Sequence, residues 1–260
     1  MNLSSDITEA VWSVWGYGLV GVLGIVLLVS GCSPKGTYEA RHTDVAQSHL
    51  PSEQEMPHHP DTLKQVAIVE GEDAYEFELD EGYESIWRTW SVRRSGPGIR
   101  APRDRREHQW FATFWSLDLS IASLQREVGL NELSKDLARD HIDERRAEYD
   151  EVLQIDVYSY TDASRVVETR LDRPGQDLVL HDDAGNEYAP DRLETTIPSE
   201  VFHPERQVVY RRTTLYFERD ADDRDLLEDV QSLRLSVQPS DRRDFHFRWR
   251  FPPRPDVAER

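Results

Sequence analysis

Apolar and polar positions alternate with a period of two along much of this chain, and that pattern predicts strands. Tyr75, Phe77 and Leu79 alternate with Glu76 and Glu78, and Phe111, Thr113, Trp115, Leu117 and Leu119 form a second run. Leu153, Ile155 and Val157 follow, with Tyr158 and Tyr160 on the other face. Shorter candidates lie at 166–171 and 178–180, and longer ones at 208–217 (Leu215 and Phe217 on one face) and at Leu233, Leu235 and Val237. The clearest strand is the last, with Phe245, Phe247, Trp249 and Phe251 on one face and His246, Arg248 and Arg250 on the other. Pro252, Pro253 and Pro255 end it. Its arginine face is expected to meet solvent or acidic neighbours and to guard an edge against pairing. One stretch changes period: Ile121, Leu124 and Val128, and then Leu133 and Leu137, take up three- and four-residue spacing. This spacing predicts a long amphipathic helix at about 120–148, with Gly129 as its weak point. Tyr83, Ile86, Trp87 and Trp90 fit a helix, while Trp90 and Val92 also fit a strand.

Many strands separated by turn signals point to a mainly β fold, an antiparallel β-sandwich carrying one helix. His181-Asp182-Asp183-Ala184-Gly185-Asn186-Glu187 reads as a hairpin turn. It has the oxygen spacing of part of a calcium loop without the full pattern. The succession LVLHDDAGNEYAP, RTTLYFERD, LRLSV and FHFRWRF resembles immunoglobulin-like domains of exported bacterial lipoproteins of unknown function. That resemblance implies an architecture and no activity. Its disulfide is impossible here, because Cys32 is the only cysteine.

The N-terminal region has a different pattern. No charged side chain occurs from Val11 to Pro34, and Leu19–Val29 consists of Leu, Val, Gly and Ile. Val29-Ser30-Gly31-Cys32 closes the run. It resembles the lipobox of bacterial lipoprotein signals, aliphatic–small–small–Cys. The resemblance implies cleavage before Cys32, a diacylglyceryl thioether on its sulfur and a further amide-linked chain. Ser33, rather than Asp, follows the cysteine, which in Gram-negative families implies transfer to the outer membrane. One acyl chain anchors only marginally, at about 0.8 kcal/mol per buried CH₂, so several chains are needed. Asp6 and Glu9 depart from the basic start such leaders have. The alternative is a single N-terminal transmembrane anchor. The expected division is a signal peptide at 1–31, a flexible tether at 32–64, a domain at 65–253 and a tail at 254–260. The tether has prolines at 34, 51, 57 and 60, and His58-His59 reads as part of a solvated linker.

Net charge is −19, which argues against nucleic acid as a partner. Only Lys35, Lys64 and Lys135 are lysines, against 28 arginines, a bias that fits a high-salt or high-GC source. Arg93, Arg94, Arg100, Arg103, Arg105 and Arg106 cluster among Gly96, Pro97, Gly98 and Pro102, predicting an arginine-rich loop over 93–106. Such a loop can contact anionic lipid or an acidic envelope protein. Pairing with the protein's own 50 acidic residues is the plainer account. The catalytic signatures HExxH, GxSxG, a phosphate loop and CxxC do not occur, so no catalytic residue, metal ligand or cofactor is assigned. His141, Asp143 and Glu144 do not share one helical face. Two function classes remain. One is a membrane-anchored structural or protein-interaction module. The other is an envelope carbohydrate-binding protein or hydrolase using carboxylates and an exposed tryptophan in a cleft. Buried tryptophans favour the first.

Overall fold

The computed structural model describes residues 50–71, 74–96, 109–162, 170–174, 176–201, 208–221, 224–238 and 244–254. In chain order the first elements are β1 (Gln54–Glu55), β2 (Val66–Glu70), β3 (Tyr75–Leu79), α1 (Tyr83–Thr89), β4 (Ser91–Arg93) and β5 (Gln109–Phe114). Then come α2 (Leu117–Glu127), a 3-10 turn at Leu130–Glu132, α3 (Lys135–Glu151), β6 (Val152–Asp162), β7 (Asp177–His181) and β8 (Glu187–Tyr188). The chain continues through β9 (Arg192–Thr195), β10 (Ser199–Val201), β11 (Val208–Glu218), β12 (Asp220–Ala221), β13 (Arg224–Asp225), β14 (Ser232–Gln238) and β15 (Phe245–Arg250). The fold is mainly β, with a mixed five-stranded sheet, an antiparallel six-stranded sheet and two antiparallel two-stranded ladders (β2-β3 and β12-β13), and none closes into a barrel among the described residues.

The six-stranded sheet has the order β10-β11-β6-β5-β4, with β9 also on β11. The five-stranded sheet has the order β1-β15-β14-β7-β8 and is antiparallel except for β1, which runs parallel to β15. The alternation read from the sequence decides which side chains the sheets share. Phe114 of β5 meets Trp249 of β15 at 5.8 Å between ring centroids, and Trp110 meets Phe245 at 5.4 Å. Leu153, Ile155, Leu215, Leu233, Leu235 and Phe247 are fully buried in the same core. The opposite face of β5 and β6 is also covered: Phe111 stacks on Tyr158 at 4.6 Å, and Trp87 of α1 stands edge-on to both rings. Helices therefore lie on one face of the six-stranded sheet and strands on the other. This explains why β5 and β6 are buried on both sides despite their polar alternation.

The long helix expected at about 120–148 is two helices. Val128 caps α2, and Gly129 adopts φ 64, the left-handed geometry that ends a helix. Nor does the strand of Phe111 continue to Leu119. It stops at Phe114, and the Ser116 side chain accepts the Leu119 N–H to start α2. Among its many charged residues α3 carries a buried stripe at Ala138, Ile142, Arg145 and Tyr149. Arg145 donates to the Ser120 carbonyl at 2.8 Å and to Ser123 Oγ at 2.7 Å, joining α3 to α2. The 83–92 segment resolves as α1 followed by β4, so both periodicities hold in turn. Most of the candidate strand at 166–171 lies outside the described residues.

Residues 50–64, assigned to the tether, pack against the domain. Leu50, Met56, His58 and His59 are buried, β1 adds an edge to β15, and the Met56 N–H donates to the Arg250 carbonyl at 2.8 Å. The carbonyls of Pro51 and Pro60 accept the Arg93 and Leu117 N–H groups at 2.8 and 2.9 Å, so these prolines take part in the packing. Because β1 covers it, β15 is not an edge strand, and its arginine face does not act as an edge guard.

Candidate functional sites

Cys32, Arg100, Arg103, Arg105 and Arg106 lie outside the described residues. Arg93 is the last residue of β4 rather than part of a loop, and the Arg94 N–H donates to the Trp110 carbonyl at 3.0 Å. Ser95 then pairs with His246 through both backbone bonds at 2.8 Å. The chain thus enters the arginine-rich stretch from a point fixed between the two sheets. Among the described residues, no helix is long and apolar enough to cross a membrane, and no group of three or more His, Cys, Asp or Glu is arranged to hold a metal ion. The turn after β7 is a hairpin: Asp182 accepts from the Asn186 N–H at 2.8 Å, from Asn186 Nδ2 at 2.6 Å and from Tyr188 Oη at 3.1 Å. Its oxygens are thus used internally.

The five described tryptophans, Trp87, Trp90, Trp110, Trp115 and Trp249, are all buried. Trp90 marks the junction of the sheets, since its carbonyl accepts both the Phe114 N–H and Trp249 Nε1, each at 3.0 Å. A stacking platform for a sugar needs an exposed ring, and none of these tryptophans offers one.

Buried charge gathers in three places that sequence reading missed. Asp118, in the first turn of α2, is fully buried. It accepts from the Lys64 N–H at 2.9 Å and the Gln65 N–H at 3.0 Å, and it pairs with His58 Nε2 at 2.5 Å. A carboxylate at a helix N-terminus also faces the positive end of the helix dipole. In the second cluster Arg219, 5% exposed, reaches Asp225 at 2.7 Å and Asp61 at 3.0 Å. Tyr149 Oη donates to Asp61 at 3.0 Å, and Arg254 reaches the same carboxylate at 3.1 Å. Burial alone would raise the Asp225 carboxyl. Hydrogen bonds from Arg219 and the Leu227 N–H, with the Arg219 and Arg254 charges, outweigh it and hold the group below 3.8. His59 lies in the same cluster. Burial, with help from Arg254 and Arg219, pulls its pKa below 6.5 against the opposing pull of Asp61.

The third cluster lies on the helix-covered face of the six-stranded sheet. Asp156, fully buried, accepts from Gln154 Nε2 and Tyr158 Oη, each at 3.2 Å, and Arg212 Nη1 stands 4.0 Å away. Burial raises its carboxyl pKa, and Arg212 opposes the rise. A carboxyl of this kind can hold a proton for transfer. Here Tyr158, which donates to it, is packed against the fully buried Trp87, which suits a packing role better than contact with substrate.

The solvent face of the five-stranded sheet carries a different arrangement. Register places Arg234 of β14 directly between His181 of β7 and Arg248 of β15, with Ser236 beside His246 one pleat away. Glu53 accepts from Arg248 at 3.0 Å and from Arg250 at 2.9 Å. Among the described residues no hydrogen-bond or ion-pair partner reaches the Arg234 guanidinium, and its Nε is buried without one. The last-strand alternation located Arg248 and Arg250 on one face. Arg234 was not singled out, because only strand pairing brings it beside them.

Compared with protein-family models, curated proteins and solved structures, the chain matches none.

Proposed function

We propose that this protein is a lipid-anchored protein of the cell envelope, attached through Cys32. Its folded region acts as a structural or protein-interaction module rather than an enzyme. The observation that carries the second half of this reading is the burial of Trp87, Trp90, Trp110, Trp115 and Trp249. With these rings used in packing, a carbohydrate cleft or hydrolase site lacks its aromatic floor. The finer architecture we propose is an immunoglobulin-like sandwich with a helical layer outside it. The ring contacts of Trp110 and Phe114 with Phe245 and Trp249 support two facing sheets. The lipobox-like Val29-Ser30-Gly31-Cys32 and the Ser33 behind it support outer-membrane attachment.

The anchor is tested by expressing the full chain and its Cys32→Ala variant in a Gram-negative host fed labelled palmitate. The parent is expected to carry label and to fractionate with the outer membrane, and the variant to lose both the label and the processed mass. A variant that stays labelled, membrane-bound and unchanged in mass would sink the lipid anchor. A single transmembrane segment predicts an unlabelled parent retained in the membrane.

A further inference from the structure

We propose that the solvent face of the five-stranded sheet binds a phosphate-type oxyanion at Arg234, with Arg248 as the second cation. The argument begins with cost. Like charges directly opposite on paired strands destabilise a sheet, and Arg234 stands opposite Arg248 in the register of β14 with β15. On its other side the register gives it His181, which faces Glu187 at 3.5 Å, rather than a carboxylate of its own. Glu53 serves Arg248 and Arg250 from the edge strand side, yet no carboxylate among the described residues serves Arg234. An oxyanion seated over β14 and β15 offsets that repulsion, by accepting from the outer guanidinium nitrogens of Arg234 and by separating the two charges.

The spacing selects the class of anion. Facing residues on adjacent antiparallel strands lie roughly 4.5–5.5 Å apart at Cα, so one anion over the pair is within reach of both side chains, with Arg248 keeping its bond to Glu53 at 3.0 Å. One fork satisfies the two oxygens of a carboxylate, whereas a phosphate offers further oxygens to a second fork. Ser236 and His246, the pair one pleat along, add neutral hydrogen-bonding groups at the same surface. His246 is already held by Ser95 Oγ at 2.9 Å, which fixes its ring.

Two sources supply this chemistry, a free phosphate and a phospholipid headgroup. The way the chain enters the fold favours the headgroup. β1, the first strand after the N-terminal region, is the edge strand of this same sheet. A lipid anchor at Cys32 would in any case keep the domain close to headgroups. This preference rests on the anchored reading, whereas the oxyanion site itself does not.

The test uses the full chain in detergent, as parent and as Arg234→Gln. Thermal unfolding is followed in inorganic phosphate and in chloride of equal ionic strength. Phosphate is expected to raise the parent's midpoint and to lose that effect in the variant, with apparent affinity lower by roughly tenfold or more. The variant in chloride should be as stable as the parent or more so, because the opposition of Arg234 and Arg248 is gone. Equal stabilisation of both proteins by phosphate would mean general salting-out and would overturn the site, as would no stabilisation of either. A variant that fails to fold is replaced by Arg234→Lys, which keeps the charge but not the fork and should bind phosphate more weakly.

A second arm measures the source. The chain is reconstituted in phosphatidylcholine vesicles with or without phosphatidylglycerol, and a fluorophore at Gln238→Cys reports proximity to headgroup-labelled lipid. Proximity that needs phosphatidylglycerol and Arg234 assigns the headgroup. Phosphate binding without lipid proximity assigns free phosphate. Loss of the chain from both vesicles, with the phosphate effect intact, counts against the anchor and not the site.

Discussion

Asp118 shows how one side chain can fix a segment that local pattern leaves open. Its carboxylate takes two backbone N–H groups from residues 64 and 65 and the ring of His58, all while fully buried. Replacing it with alanine leaves three donors without an acceptor in a dry site. Asp118→Ala is therefore expected to lose about 3–5 kcal/mol of stability in urea unfolding, and Asp118→Asn less, because the amide oxygen still accepts. A loss within experimental error for Asp118→Ala would mean that residues 58–65 are held mainly by apolar contact. His59 makes a prediction of the opposite kind. Its folded pKa lies below 6.5 because it is buried, so the unfolded chain binds the proton first as pH falls. The stability it contributes is complete above pH 6.5 and is lost as pH drops through the folded value. His181 and His246 are shifted the same way by burial and add to the trend. Unfolding free energy should fall between pH 7 and pH 5, with a slope of at most about 1.4 kcal/mol per pH unit for each group. His59→Phe should flatten that slope, since phenylalanine fills the same place beside Phe251 without taking a proton. An unchanged slope would place the titration elsewhere.

At the scale of elements, the break between α2 and α3 falls where the apolar period slips. Ile121, Leu124 and Val128 keep helical spacing before it and Leu133 and Leu137 after it, while between them Gly129 turns left-handed and Leu130–Glu132 forms a separate turn. Gly129→Ala is expected to cost about 1–2 kcal/mol, the penalty for an L-residue in that geometry, and not to fuse the helices. A gain in helicity by circular dichroism would contradict this. Strand periodicity was the most legible part of the chain, because period-two alternation survives wherever one face is buried more deeply than the other. It located β6, β14 and β15 to within a few residues, and it found β5 but carried it past Phe114 into α2. It could not say that β5 and β6 are covered on both faces, since Gln154, Asp156 and Tyr158 look outward-facing in sequence and are buried in the fold. Polar residues under a helical layer carry no one-dimensional mark. The same holds for the candidate sites. Cys32 was legible because an apolar run and small residues precede it, whereas Arg234, Arg219 and Asp118 acquire meaning only through partners far away in the chain.

Across the whole molecule, the segment read as tether is part of what closes the structure. Residues 50–61 place Leu50 and Met56 in the core, add β1 to the five-stranded sheet and send Asp61 into the cluster of Tyr149, Arg219 and Arg254. That cluster joins the N-terminal side of the fold, the end of α3, the end of β11 and the C-terminal strand exit. Removing Asp61 alone leaves Arg219 with Asp225, but removing the whole segment also strips one side of β15 and exposes Trp90, whose ring lies edge-on to His58 at 5.5 Å. The boundary of the folding unit therefore falls before Leu50 rather than at residue 65. A chain beginning at residue 50 is expected to unfold cooperatively with near-parent stability. One beginning at residue 65 is expected to lose several kcal/mol, the combined effect of apolar exposure and unpaired buried charge, and to be largely unfolded or aggregated. Matching unfolding curves for the two truncations would return residues 50–64 to the tether and leave the Asp61 and Asp118 contacts without energetic weight.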